Sequence, residues 1–87
     1  METVKTKTGF EASIDPAALD DMETFELIVA IDKGDVSGVP ELIGRILSAD
    51  QKKALYEHCR KDGRVRMTAV LQEINDIFEG LRDSEKK

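Results

Sequence analysis

His58 and Cys59 are the one histidine and the one cysteine of the chain, and they are adjacent. A thiol beside an imidazole is the pairing that yields a thiolate nucleophile. Neighbours on a helix, however, point about 100° apart and do not face each other, and no glycine-rich segment offers an oxyanion site. The pair reads instead as part of a half-buried helix stripe, with His58 about one turn from Asp62. Zinc asks for three or four Cys and His ligands, and the chain offers one of each. Asp32, Gly34 and Val36 occupy alternating positions that a calcium loop fills with oxygen ligands, and neither Gly34 nor Val36 has a side-chain oxygen. Gly34 and Gly38 precede a helix but lack the Lys-Ser/Thr of a phosphate-binding loop. Asp20, Asp21, Glu23 and Glu26 could form a carboxylate site, yet acids are ordinary at the positive end of a helix dipole. The residues therefore predict no catalytic set, no cofactor and no metal.

The elements around these residues read as a packing module. Val4, Thr6, Thr8, Phe10, Ala12 and Ile14 alternate with Lys5, Lys7, Gly9, Glu11 and Ser13, which is a strand pattern. A lone strand leaves backbone groups unpaired, so it must fold at Lys7-Thr8-Gly9 into a hairpin, the favoured reading, or pair with another subunit. Asp15-Pro16 caps a helix start, with a restart at Asp20 or Asp21. Leu19, Met22, Phe25, Ile28 and Val29 line one side of that first helix, and Leu27 and Ile31 widen the apolar arc beyond one core contact. Gly34 ends it. Ser37 or Asp35 opens the second helix, where Val39, Leu42, Ile43, Ile46 and Leu47 form a stripe around Gly44, a boundary residue or a close crossing. Ser48-x-x-Gln51 is a capping box for a polar third helix over about 49–61, with Ala54, Leu55, His58 and Cys59 inward and Tyr56 to one side. Asp62-Gly63 breaks it, and Val65 plugs the core. In the fourth helix, over about 67–79, Met67, Val70, Leu71, Ile74, Ile77, Phe78 and Leu81 face inward, while Gln72, Glu73, Asn75, Asp76 and Glu79 fill the other face. Gly80 is expected at the left-handed C′ position, with Leu81 folding back onto Ile77. The expectation is a mainly α fold: a small bundle of about four short helices with an N-terminal β-strand or hairpin. It divides into an extended segment 1–15, a helical domain 16–81 and a frayed tail 82–87.

An 87-residue chain makes one domain that removes roughly 60 to 65% of its unfolded surface from water and is stable by about 4 to 13 kcal/mol. With 13 Lys and Arg against 18 Asp and Glu, the formal charge is −5. Its basic residues interleave with acids, so nucleic acid is a poor partner. Met1 leads into polar residues without a signal-peptide pattern, and the longest apolar run, Leu27 to Ile31, is far too short to span a bilayer. A lone cysteine suits a reducing compartment. The reading is a soluble cytoplasmic protein.

Three ordered stretches, spanning about residues 8–81, carry a resemblance. The first is Thr8-Gly9-Phe10-Glu11-Ala12-Ser13-Ile14-Asp15 leading to Leu19 through Leu27. The second is Gly34-Asp35-Val36-Ser37-Gly38-Val39-Pro40-Glu41-Leu42-Ile43, followed by Ile46-Leu47-Ser48-Ala49-Asp50-Gln51. The third is Leu55 through Val65, then Glu73-Ile74 and Phe78. In this order they resemble the tail assembly chaperones of long-tailed bacteriophages and of prophages in Gram-positive hosts. The chain departs from that pattern at Arg66, where many relatives have Pro, and at Gly44, where they have a bulky apolar residue. The resemblance implies a non-enzymatic role in the host cytoplasm: binding the long, helical, apolar tape measure protein and keeping it soluble until tail tube subunits polymerise around it. It also implies absence from the finished virion and, often, a longer frameshifted product. Such a holdase needs apolar grooves, many copies and solubility from net charge, so a homo-oligomer without nucleic acid or membrane is expected. Phe25, Leu27, Ile28, Ile31 and Tyr56 are the candidate partner or self-association residues. The alternative is a small structural adaptor retained in the head-tail connector or tail.

Overall fold

The computed structural model describes residues 2–85, and side chains as far as residue 81. The fold is mainly α. A hairpin of β1 (Glu2–Lys5) and β2 (Glu11–Ile14) is followed by α1 (Pro16–Leu19), α2 (Met22–Asp32), α3 (Val39–Ile46) and α4 (Ala49–Cys59). A small ribbon of β3 (Arg60–Lys61) and β4 (Arg64–Val65) then leads into α5 (Met67–Glu85). Among the described residues no helix is long and apolar enough to cross a membrane.

The alternating N-terminal residues do fold back on themselves. β1 and β2 pair antiparallel, Val4 opposite Ala12 and Thr3 opposite Ser13, around a turn in which Gly9 takes a φ of 97°. Val4, Phe10, Ala12 and Ile14 enter one core with Val39, Leu42, Ile43 and Ile46 of α3, its C-cap Leu47, Leu55 and Cys59 of α4, and Val70, Ile74, Ile77 and Leu81 of α5. β1 lies along α5, and α2 packs on α3. The stripe expected of α3 is buried in full.

Asp15 caps α1 through its side chain, and Asp21 caps a separate α2. Gly34, at φ 97°, closes α2. The rotation of α2 differs from expectation. Thr24 is buried at 1% exposure, whereas Met22 and Phe25 face out at 67% and 53%. α2 is apolar round most of its circumference, so its hydrophobic pattern does not choose a face. A polar clamp does: Asp21 Oδ2 accepts from the Thr24 N–H at 3.1 Å, the Thr24 hydroxyl at 2.8 Å and Arg45 Nη1 at 3.1 Å.

Several caps also differ. Neither Ser37 nor Asp35 opens α3, whose N-cap is Gly38; Asp35 Oδ1 instead accepts from the Ser37 N–H and hydroxyl in a local turn. Ser48 caps α4 by accepting from the Gln51 N–H at 3.2 Å, but the Gln51 side chain does not return to Ser48. Its Oε1 accepts from the Ser13 N–H at 2.6 Å and its Nε2 donates to the Ser13 carbonyl at 2.9 Å, so it covers the outer edge of β2 as a short strand would. Ala54 is exposed. α4 stops at Cys59 rather than near Lys61, because Asp62 and Gly63 both adopt positive φ, 55° and 81°. A two-residue Asp-Gly loop of that kind closes a hairpin.

α5 departs most. Gly80 is not its C′ residue; the helix runs on to Glu85, through much of the stretch expected to fray, while 86–87 lie outside the described residues. A Cβ on Gly80 would overlap Val4 Cγ1, so the missing side chain admits β1 to the helix surface. Glu73 and Asp76, expected in solvent, are buried at 2% and 5%, and Met67 is exposed at 66%. The hairpin covers a second side of α5 and takes the acids inside with it. Gly44 faces open space, which excludes a close crossing within the chain.

Candidate functional site

Two places gather side chains that function could use: a polar cluster beneath the hairpin and an apolar groove on the opposite flank of α5. The cluster centres on Glu73. Its Oε1 accepts from the Thr6 hydroxyl at 2.7 Å and its Oε2 from the Thr8 hydroxyl at 2.8 Å. Thr6 Oγ1 in turn accepts from the Phe10 N–H at 3.1 Å. His58 Nε2 lies 2.8 Å from Thr8 Oγ1. Since the Thr8 proton is committed to Glu73, Nε2 must be the donor, which places a proton on that nitrogen. The His58 ring also tilts against Phe10, with centroids 5.5 Å apart. His58 thus turns to the hairpin and not to Asp62. Alongside, Asp76 Oδ2 accepts from the Lys7 N–H at 3.3 Å and Oδ1 from Gln72 Nε2 at 3.1 Å. Among the described residues every buried side-chain nitrogen and oxygen has a partner. The cluster is an anchor that joins the hairpin turn to α5.

Cys59, one residue from His58, points into the core at 5% exposure. Burial pushes its thiol up from the ordinary value, and the Glu73 carboxylate adds to the shift. A thiol held in that form is a poor nucleophile at neutral pH. Among the described residues, no three of His, Cys, Asp and Glu converge closely enough to hold a metal ion.

The groove consists of two adjoining hollows. One, of about 520 Å³, is walled by Val36, Val39, Pro40, Ile43, Tyr56, Val65, Met67, Val70 and Leu71, with Ser37 at its edge. The other, of about 300 Å³, lies between α2 and α5, walled by Ile28, Ile31, Leu71, Ile74 and Phe78, with Asp32 and Asn75 as its polar members. Val36 and Leu71 belong to both. Val36 is 37% exposed and Met67 66%, so the floor is core and the lip is open. The Lys52 ammonium lies 5.6 Å from the Tyr56 ring centroid, within cation–π range.

The five residues singled out from the sequence fall in three places. Ile28 and Ile31 wall the second hollow and Tyr56 the first. Leu27 is half-buried against the α2–α3 turn, where a Cβ on Gly38 would come within 2.7 Å of Leu27 Cδ2. Phe25 lies on the outer face of α2 with Met22, Val29 and Ala30. Sequence reasoning missed Val36, Pro40, Met67, Leu71 and Phe78 as groove residues. The available signal was the width of the α5 stripe, since one layer of core does not use all seven of its residues.

Searches against protein-family models, curated proteins and solved structures find no match to the chain.

Proposed function

We propose that this protein is a non-enzymatic tail assembly chaperone that binds the tape measure protein of a long-tailed phage in the host cytoplasm. On this reading it keeps that client soluble until tail tube subunits polymerise around it, and does not persist in the virion. The observation that carries the proposal is the apolar groove formed by α2, α3, α4 and α5. Hollows of about 520 and 300 Å³ suit the apolar stripe of an amphipathic helix, whose anchors recur at i, i+3, i+4 and i+7. A formal charge of −5 favours solubility of the loaded complex. Val36, Tyr56, Met67, Leu71 and Ile31 are the client-facing residues.

The test is co-expression with overlapping fragments of a phage tape measure protein, followed by size-exclusion chromatography with light scattering. The expected outcome is co-elution with fragments that are insoluble alone. Val36→Glu and Met67→Glu, at exposed lip positions, should each weaken capture about tenfold or more while the far-UV circular dichroism stays unchanged. Fragments left insoluble by the folded wild-type protein would overturn the proposal. Finding the protein in purified virions would favour a structural adaptor retained in the connector or tail.

A further inference from the structure

We propose that the outer face of α2 pairs with the same face of a second copy, antiparallel, about a two-fold axis between Val29 and Ala30. This surface is separate from the groove, so the inference does not rest on the client reading.

Met22, Glu26, Val29 and Lys33 succeed one another at helical spacing on the side of α2 opposite the buried Thr24, with Phe25 and Ala30 flanking them. Met22 and Phe25 are 67% and 53% exposed. Among the described residues, no ion pair and no side-chain hydrogen bond engages Glu26 or Lys33, although Arg45, Lys7 and Arg60 each hold acids nearby. An unused acid and an unused base therefore bracket a small apolar centre.

Their spacing selects both partner and direction. Seven residues bring a helix back to the same face, so a two-fold axis midway between Glu26 and Lys33 sets each Glu26 against the Lys33 of the second copy, twice. The same axis brings Val29 and Ala30 of both copies together, small enough for close approach, and lays Phe25 over the Lys33–Gly34 turn. Gly34 has open space where a side chain would be. A parallel two-fold pairing would instead set Glu26 beside Glu26 and Lys33 beside Lys33 of the second copy, like charge against like. An 11-residue helix is about 16 Å long and covers less than the roughly 800 Å² per partner of a standard interface. The dimer therefore forms and dissociates with concentration.

The experiment is sedimentation equilibrium of the full chain from about 1 μM to about 1 mM, with the charge reversals Glu26→Lys and Lys33→Glu alone and together. The wild-type mass should climb from 9.7 kDa toward twice that value. Either single reversal should raise the dissociation constant about tenfold, because two symmetry-related attractions become repulsions. The double reversal should return it to within about threefold of wild type. Both positions are exposed, and unchanged circular dichroism checks that the variants fold. A monomer at every concentration, single reversals without effect, or a double variant that fails to recover would each overturn the proposal.

Discussion

Glu73 is a buried acceptor for two threonine hydroxyls, that of the buried Thr6 and that of Thr8 at the exposed turn. Replacing it with Leu leaves Thr6 and the Thr8–His58 pair without their shared partner, and unfolding free energy should fall by about 2 to 4 kcal/mol in urea titrations. Glu73→Gln keeps the volume but gives up the charge-assisted bonds, so its loss should be about half as large. Gly80→Ala places a Cβ against Val4 Cγ1 and should cost about 1 to 3 kcal/mol. Adding Val4→Ala should relieve part of that cost, so the double variant should lose less than the sum of the single variants. None of this could be read from residue type. Helical spacing put Val70, Ile74, Ile77 and Leu81 inside, correctly, because that stripe faces the rest of the bundle. Glu73 and Asp76 go inside because a hairpin more than sixty residues away in sequence lands on them, and no local pattern encodes that landing.

At the scale of elements, the existence and order of the helices were legible, since Asp15-Pro16, Asp21, Gly34 and Ser48 mark ends by their own backbone chemistry. The N-terminal hairpin was legible from its alternation. The face that α2 presents was not, because Leu, Ile, Val and Phe surround it and the choice falls to Asp21. Hydrogen bonds from Thr24, reinforced by Arg45, hold the Asp21 carboxyl below its usual range. A carboxylate of that kind stabilises the fold above its unfolded value of about 3.9, and the contribution is lost as pH falls through the lower folded value. Asp21→Ala should therefore melt below wild type at pH 7, with the gap closing in melts taken progressively below about pH 3.9. Gly44, inside α3 with open space around it, predicts the opposite sign: Gly44→Ala should raise stability by about 0.5 to 1 kcal/mol. A destabilised Gly44→Ala would mean that α3 is covered by another chain.

For the molecule as a whole, the apolar core is one cluster to which the hairpin and three helices contribute, while the apolar side chains that α2 adds at its margin are half-buried. Cys59 reports on that core. Buried, and with its thiol pushed up by that burial and by Glu73, it should resist thiol reagents in native buffer. Its labelling rate should rise in step with the unfolded fraction as urea is added; fast labelling without denaturant would show that α4 opens locally. The contacts that close the core join segments far apart in sequence: Val4 rests on Gly80 and Thr6 bonds to Glu73. On the ribosome the hairpin emerges well before its seat on α5. At about 5 to 20 residues per second, the roughly seventy-five residues between Val4 and Gly80 take about 4 to 15 s to make. Throughout that interval Phe10 and Ile14 have no α5 to bury them, so this part of the nascent chain is most exposed to aggregation and proteolysis just before α5 arrives.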